Sequence, residues 1–274
     1  MIALSARNCR DFIKCALDAI SSRMSKPVDA GSSRSEPGAS RHGNFIDYYR
    51  FHPAEERMRQ IPEAIYESAG PSPMFVALDI GCNTGDLTLE LYKFLSKNLP
   101  ERKISIIGID LDPVLIERAQ EKNDQFESVT FVCIDFFSND RENVLSSYLS
   151  ERHKKRFDAS FCFSITMWIH LNKGDAGLEL FLRDVCSCSE VVLVEPQPWR
   201  CYRSAARRLR RANLGDFPLL EGLEYRDEVQ RHIEKILRDQ CKFRRLHVSE
   251  KNEWQRRLIL YKRCHDERTH EDSA

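Results

Sequence analysis

Apolar residues in this chain fall into short unbroken runs that alternate with stretches of helical spacing. MFVALDIG (74–81) is almost continuous and ends in Asp and Gly. The DLTLELYKFLSKNL that follows brings Leu87, Leu91 and Leu95 round every four residues, which predicts a helix. KISIIGIDLDP (103–113) and VLIERAQEK (114–122) repeat the strand–helix pair. SVTFVCIDFF (128–137), FDASFCFSI (157–165) and EVVLVEP (190–196) are further apolar runs, with helical candidates between them. In one of these, Leu178, Phe181, Leu182 and Val185 mark a plain core face. Strands that are apolar throughout are buried on both faces, so the pattern predicts a parallel sheet covered by helices.

The C-terminal end reads differently. KFRRLHVSE (242–250) and WQRRLILYKR (254–263) are strand-like and too close for a helical crossover. They are expected to pair antiparallel. The fold class is therefore α/β, a Rossmann-like sheet of seven strands, mostly parallel, with an antiparallel C-terminal hairpin. That order resembles the class I, S-adenosylmethionine-dependent methyltransferases. Upstream, SKPVDAGSSRSEPGASR (25–41) has the composition of a linker. Before it, Cys9, Phe12, Ile13, Ala16, Leu17 and Ile20 take helical spacing among basic residues. This stretch reads as a dispensable amphipathic extension, as residues upstream of a start at Met24, or as a transit peptide, against which Asp11 and Asp18 argue. The expected organisation is an extension over 1–41, one methyltransferase domain over 42–264 and a tail over 265–274.

Composition narrows the class. The 274 residues carry 42 basic and 42 acidic side chains, so any affinity for nucleic acid must come from the placement of charge. The longest apolar runs, 158–171 and 189–194, are too short or too interrupted to span a bilayer, and no membrane association is expected. The ten cysteines form no CxxC pair. A chain of this size needs no disulfides, which favours a reducing, cytoplasmic setting. A metal site would have to start from Cys186-x-Cys188, and none is expected. A monomer is the default.

The first strand runs into Asp79-Ile-Gly81-Cys-Asn83-Thr-Gly85-Asp86, where glycines let the backbone turn sharply beside a ligand. The carboxyl ends of parallel strands are where such sheets bind nucleotides. Asp110 ends the second strand and suits a pair of ribose hydroxyls, while Asp135-Phe136 at the end of the third suits the edge and face of adenine. A dinucleotide's pyrophosphate favours three glycines and no acid at this turn. Asp79 and Asp86 would repel it, whereas Asp79 suits the ammonium of S-adenosylmethionine.

Three further stretches are unusual: HGNFIDYYRFHPAEERMRQIP (42–62), SITMWIHLNKGD (164–175) and LVEPQPWRCY (193–202). With LDIGCNTGDL and GIDLDP they resemble the Bicoid-interacting RNA methyltransferases, and within them the branch that methylates a 5′-monophosphate on small RNAs such as transfer RNA or microRNA precursors. The resemblance covers about 42 to 261. It implies cofactor contacts at Arg57, Asn83, Asp110, Asp135, Phe136 and Phe163, beside Asp79 and Gly81, with Arg57 as the planar fork on the methionyl carboxylate. It also implies that Tyr48 lies near the transferred methyl. The triphosphate branch has a lysine where this chain has Met167, and a basic residue where it has Asp47, so the less charged end is the expected substrate.

A phosphate monoester is mostly dianionic near neutrality, so the nucleophile needs alignment more than a strong base. Tyr48 and His170 are the catalytic candidates, with His42 and Arg50 as further phosphate contacts. Glu195 is expected at the cleft mouth, and Trp199, held out by Pro196 and Pro198, is a candidate platform for a terminal base. Arg200, Arg203, Arg207 and Arg211 lie at helical spacing with Arg208 and Arg210 alongside and no acid between them. Such a run beside a phosphate-handling cleft suits an RNA backbone, with Arg203 and Arg207 as its central contacts. The alternatives are a triphosphate-capping enzyme, a catalytically silent RNA-binding scaffold, and a small-molecule methyltransferase that leaves the arginines without a role.

Overall fold

The structure, a computed structural model, describes residues 39–67 and 70–265. The expectations for the N-terminal extension up to residue 38, and for the tail from 266, lie outside the described residues. A seven-stranded sheet is built from β1 (Met74–Ile80), β2 (Lys103–Asp110), β3 (Val129–Cys133), β4 (Phe157–Phe163), β5 (Ser189–Glu195), β6 (Phe243–Val248) and β7 (Ile259–Arg263). Its order is β3-β2-β1-β4-β5-β7-β6. The first five strands are parallel, with Ile80 opposite Ile109, Asp79 opposite Phe161 and Phe163 opposite Glu195. β7 runs antiparallel between β5 and β6. The direction of winding reverses between β1 and β4, and that reversal opens a crevice at the strands' carboxyl ends.

Short helices α1 (Tyr48–Phe51), α2 (Ala54–Met58) and α3 (Ala64–Glu67) precede the sheet. The crossovers are α4 (Asp86–Asn98), α5 (Pro113–Lys122), α6 (Arg141–Glu151) and α7 (Thr166–Ser187), and α8 (Trp199–Arg211) and α9 (Val229–Lys235) follow β5. Leu87, Leu91 and Leu95 of α4 pack with Phe75, Ala77, Ile104, Ile106, Phe161 and Leu193 in one core layer. Val76, Leu78 and Ile107, which point to the other face, are equally buried. Burial on both faces is what the continuous apolar strands predict. Asp112 caps α5 by accepting the Val114 N–H at 2.9 Å, with Pro113 in the first turn. Gly174, at φ 73°, breaks α7 into two helical pieces.

Two expectations change. β3 ends at Cys133, so Asp135 and Phe136 lie in the turn beyond it. The second hairpin strand begins only at Ile259, which leaves 249–258 as a loop. That loop is closed by backbone bonds from Ser249 N–H to the Leu258 carbonyl at 2.9 Å and from Asn252 N–H to the Arg256 carbonyl at 2.8 Å, and by side chains. Asn252 Oδ1 accepts the N–H groups of Trp254 and Arg256 at 3.1 and 2.9 Å, and Ser249 Oγ accepts that of Leu258 at 2.9 Å. Trp254 and Arg256 are thereby turned toward the crevice residues. Among the described residues no helix is long and apolar enough to cross a membrane.

Candidate active site

The turn after β1 forms the floor. Gly81 has φ 79°, and its amide bonds the Ile109 carbonyl at 2.8 Å. A Cβ there would lie 2.3 Å from Ile165 Cγ2, so only glycine fits. Asn83 takes a left-handed conformation, which Asn tolerates better than most residues. Its N–H reaches Asp110 Oδ2 at 2.9 Å, and Asp112 N–H reaches Asp110 Oδ1 at 3.0 Å. Burial raises the Asp110 pKa against these hydrogen bonds. Asp79 is buried with Thr88 Oγ1 donating at 2.6 Å. Burial pushes its pKa up to about 7, with the neighbouring Asp110 adding to the shift and Thr88 opposing it. Arg57 also opposes the shift but makes no ion pair with Asp79 among the described residues. The floor therefore fits a ligand with an ammonium group and a diol, and the acids at the turn disfavour a pyrophosphate.

The segment 40–58 is strapped across this floor. Gly43 packs against the Trp168 indole, where a Cβ would come within 2.2 Å of Nε1. Asn44 Nδ2 donates to Asp112 Oδ2 at 2.6 Å, Asn83 Nδ2 donates to the Phe45 carbonyl at 3.0 Å, and the Tyr49 hydroxyl donates to the Cys82 carbonyl at 3.2 Å. Phe45 meets Trp168 edge to face at 5.8 Å. The motif around 42–62 and the turn around 79–86 are thus one unit, and Asn83 joins them.

Arg57 sits at the centre of a buried network. Its Nε donates to Glu195 Oε2 at 3.0 Å, Nη1 to the His52 carbonyl at 3.4 Å, and Nη2 to the Tyr48 hydroxyl at 2.8 Å and to Ser164 Oγ at 3.2 Å. Ser164 donates in turn to Glu195 Oε2, and Asn252 Nδ2 to Glu195 Oε1 at 3.0 Å. Arg256 Nη1 also reaches Ser164 Oγ, at 2.6 Å. Burial works to raise the Glu195 pKa, but Arg57, Arg256 and the Ser164 hydroxyl outweigh it, and the carboxyl stays below the usual range. Tyr48 stacks on His52 at 4.7 Å and keeps its own hydroxyl proton free of any acceptor among the described residues.

Several of the expected site residues have internal partners. Arg57 is fully buried, with its guanidinium bonded to Glu195, Tyr48, Ser164 and the His52 carbonyl. Glu195 is equally buried and is the counter-ion of Arg57, not a residue of the cleft mouth. His170 is buried with both ring nitrogens engaged, Nδ1 with the Tyr202 hydroxyl at 3.1 Å and Nε2 with Asp175 at 2.8 Å. Asp175 also accepts the amides of Glu224 and Tyr225, so His170 ties the kinked α7 to α8 and to the 224–225 turn. The Phe136 ring is buried edge-on to Phe181 at 5.0 Å with the Arg141 guanidinium 4.6 Å over it. Trp199 is half-buried, stacked on Tyr202 at 4.8 Å with Arg226 6.0 Å over the ring.

The remaining candidates are distributed as follows. Phe163 lies at the end of β4, with Arg57 5.9 Å over its ring. Asp135 is exposed and accepts the Phe137 N–H at 2.9 Å. His42 and Arg50 are exposed on the strap. Its surroundings, burial first and then Arg41, lower the His42 pKa. On α8, Tyr202, Ala205, Ala206 and Leu209 face the core and all six arginines are exposed. Arg210 pairs with Asp216 at 3.0 Å, and Arg200 donates to the Trp254 carbonyl at 3.0 Å. Arg203, Arg207, Arg208 and Arg211 meet no acid among the described residues.

Sequence reasoning missed Ser164, Gln197, Asn252 and Arg256. Gln197 is buried between the two prolines, where its Oε1 accepts the Met167 N–H at 3.2 Å at the start of α7 and its Nε2 donates to the Ser164 carbonyl. A glutamine between prolines is a visible signal for such a fixed bracket. Arg256 carried no signal, since it sits in a stretch that reads as strand.

Comparison with known proteins agrees with this architecture. Residues 157–263 match the Bicoid-interacting protein 3 (Bin3) family, and residues 78–183 match a methyltransferase domain. The chain is 41% identical to an RNA 5′-monophosphate methyltransferase of Bos taurus, over 86% of this chain and 85% of that one. It is 40% identical to a pre-miRNA 5′-monophosphate methyltransferase of Danio rerio, over 83% and 94%. Similarity to the 7SK snRNA methylphosphate capping enzyme of Mus musculus is lower, 24% over 64% of this chain and 34% of that one. The resemblance read from the motifs therefore holds across most of the sequence: the chain belongs to the Bicoid-interacting protein 3 family of methyltransferases.

Proposed function

We propose that this protein transfers a methyl group from S-adenosylmethionine to the 5′-monophosphate of a small RNA. The cofactor supplies an electrophilic methyl on a sulfonium. Everything else falls to the residues of the crevice. Asp79, buried and without an ion-pair partner among the described residues, suits the cofactor's ammonium, and Asp110 at the end of β2 suits its ribose. Gly81 and Asn83 keep the turn close to it. Arg57 holds the Tyr48 hydroxyl oxygen at 2.8 Å, which leaves the O–H free to donate to a phosphate oxygen and orient it. A donor of this moderate strength aligns the nucleophile without quenching it, and alignment is the larger part of what this reaction needs.

The observation that carries this reading is the Arg57 network, which fixes Tyr48 beside the ends of β4 and β5 in a positively charged surround. The identity to enzymes named for the 5′-monophosphate points the same way. So do the buried Met167 and the acidic Asp47, neither of which adds positive charge for a triphosphate. The exposed arginines of α8 suit the RNA backbone beyond the first nucleotide. A monomer acting in the cytoplasm is part of the same proposal, and the free cysteines of the described residues are compatible with a reducing compartment.

The test is transfer of labelled methyl to one small RNA bearing a 5′ monophosphate, a triphosphate or a hydroxyl. Label on the monophosphate alone is the expected result. Label on the triphosphate alone would move the protein to capping chemistry, and no label with intact cofactor binding to scaffolding.

A further inference from the structure

Arg256 has no role in the reading of the fold, yet it is placed against the same hydroxyl as Arg57. Its Nη1 donates to Ser164 Oγ at 2.6 Å, whereas its Nε is buried with no hydrogen-bond partner among the described residues. A buried N–H without an acceptor is rare in native proteins and marks a site that expects one. Nη1 is spent, so the edge formed by Nε and Nη2 remains, and that planar edge matches two oxygens of a phosphate. Arg57 offers nothing comparable, since Nε and both of its terminal nitrogens are occupied.

The surroundings favour an anion. The guanidinium groups of Arg57 and Arg256 share one nearby ionised carboxylate, Glu195, so a positive charge is left over. His52 joins them, stacked on Tyr48 and tilted against Trp254 at 4.7 Å from each, and its Nδ1 is likewise buried without a partner among the described residues. Burial, then Arg256 and Arg57, hold its pKa down to about 4, so it adds no charge of its own near neutrality. Asn252 and the loop 249–258 fix where Arg256 enters, because Asn252 Oδ1 accepts the Arg256 amide at 2.9 Å while its Nδ2 bonds Glu195 at 3.0 Å.

We infer that the Nε edge of Arg256, together with the free hydroxyl proton of Tyr48, is the docking site for the terminal phosphate of the acceptor RNA, and that Arg256 distinguishes a 5′-phosphorylated end from a 5′-hydroxyl end. This rests on the acceptor being a 5′-phosphate, as proposed above. The loop between β6 and β7 then serves as the specificity element of the site. The leftover charge is matched to a small anion held by one free guanidinium edge.

The experiment uses the full chain with Arg256→Gln and Arg256→Lys, and one RNA sequence carrying a 5′ monophosphate or a 5′ hydroxyl. Direct binding, methyl transfer, cofactor affinity and thermal midpoint are all measured. The wild type should prefer the monophosphate end. Arg256→Gln should cut that preference about ten- to a hundred-fold, as expected for loss of a charged hydrogen bond. Arg256→Lys should fall between, since it keeps the charge and loses the fork. Cofactor affinity and binding of hydroxyl RNA should stay within about two-fold. An undiminished preference for the phosphate in either variant overturns the inference. So does a parallel loss of cofactor, phosphate RNA and hydroxyl RNA binding in Arg256→Lys, which would mark a purely structural arginine. A wild type that binds the phosphorylated end selectively but transfers no methyl would refute the proposed reaction and leave the Arg256 assignment to the binding data.

Discussion

Arg57 and Glu195 lie 138 positions apart and meet at 3.0 Å with both side chains fully buried. The pair pins the short helix α2 to the end of β5, and through Nη2 it sets the hydroxyl of Tyr48. Removing one partner of such a pair strands the other, at a cost of about 3–5 kcal/mol. Glu195→Ala should lose stability by about that much in denaturant unfolding. The pH dependence has a defined sign. The folded carboxyl is held below its unfolded value of about 4.3, so its contribution is present above that pH and is lost as the pH falls through the folded value. Glu195→Gln should therefore show a shallower loss of stability on acidification than the wild type. An acid limb of equal slope in the two proteins would remove Glu195 from this role.

Much of this architecture can be read from the chain, and the parts that cannot have physical reasons. Continuous apolar runs ending in Asp or Gly locate β1, β2 and the turn at 79–86, because a strand buried on both faces has no polar positions to blur the pattern. Residues with a distant partner are the ones whose surroundings a sequence does not show. Arg57, Glu195 and His170 each match a plausible ligand-binding position, and only the fold reveals that internal partners satisfy them. Phe136 falls outside the strand because β3 stops earlier than its apolar run. Arg256 is invisible because Asn252 and Ser249 turn the loop that presents it, through both their backbone and their side-chain hydrogen bonds, within a strand-like sequence.

Asp79 should make cofactor binding release a proton. Its carboxyl, raised by burial to about 7, is mostly protonated at pH 6. Because the folded pKa lies above the unfolded value of about 3.9, the free protein loses stability through this group as the pH rises from that value toward about 7. An ammonium placed beside it favours the ionised form. Titration of S-adenosylhomocysteine at pH 6 in two buffers of different ionisation enthalpy should show most of one proton released. Asp79→Asn should bind more weakly and abolish the buffer dependence. Equal heats in the two buffers for the wild type would refute the assignment.

Gly81→Ala tests the floor. The backbone there has φ 79°, and the added methyl would lie 2.3 Å from Ile165 Cγ2. The left-handed conformation alone costs a non-glycine residue roughly 1–2 kcal/mol, and the collision adds to it. The variant should lose at least that much stability and bind cofactor poorly. Adding Ile165→Ala should recover the part due to the collision and leave the backbone part. Full recovery would show that the positive φ carries no cost at this turn.

The α8 arginines divide into paired and unpaired members, and that division makes their role testable. Arg210 already has Asp216 at 3.0 Å, while Arg203 and Arg207 project from the exposed face without an acid among the described residues. If that face follows the RNA backbone, removing one arginine from a phosphate should lower the slope of log affinity against log salt by about 0.7 to 0.9. Arg203→Gln and Arg207→Gln together should thus raise the KM for RNA and flatten its salt dependence by roughly twice that amount, with cofactor affinity unchanged. Arg210→Gln should have a smaller effect, because its charge is already offset. The turnover number at saturating RNA should hold, since none of these groups touches Tyr48 or Arg57. A salt slope unchanged in the double variant would mean that the face is merely solvated. The RNA would then be held by its phosphorylated end alone.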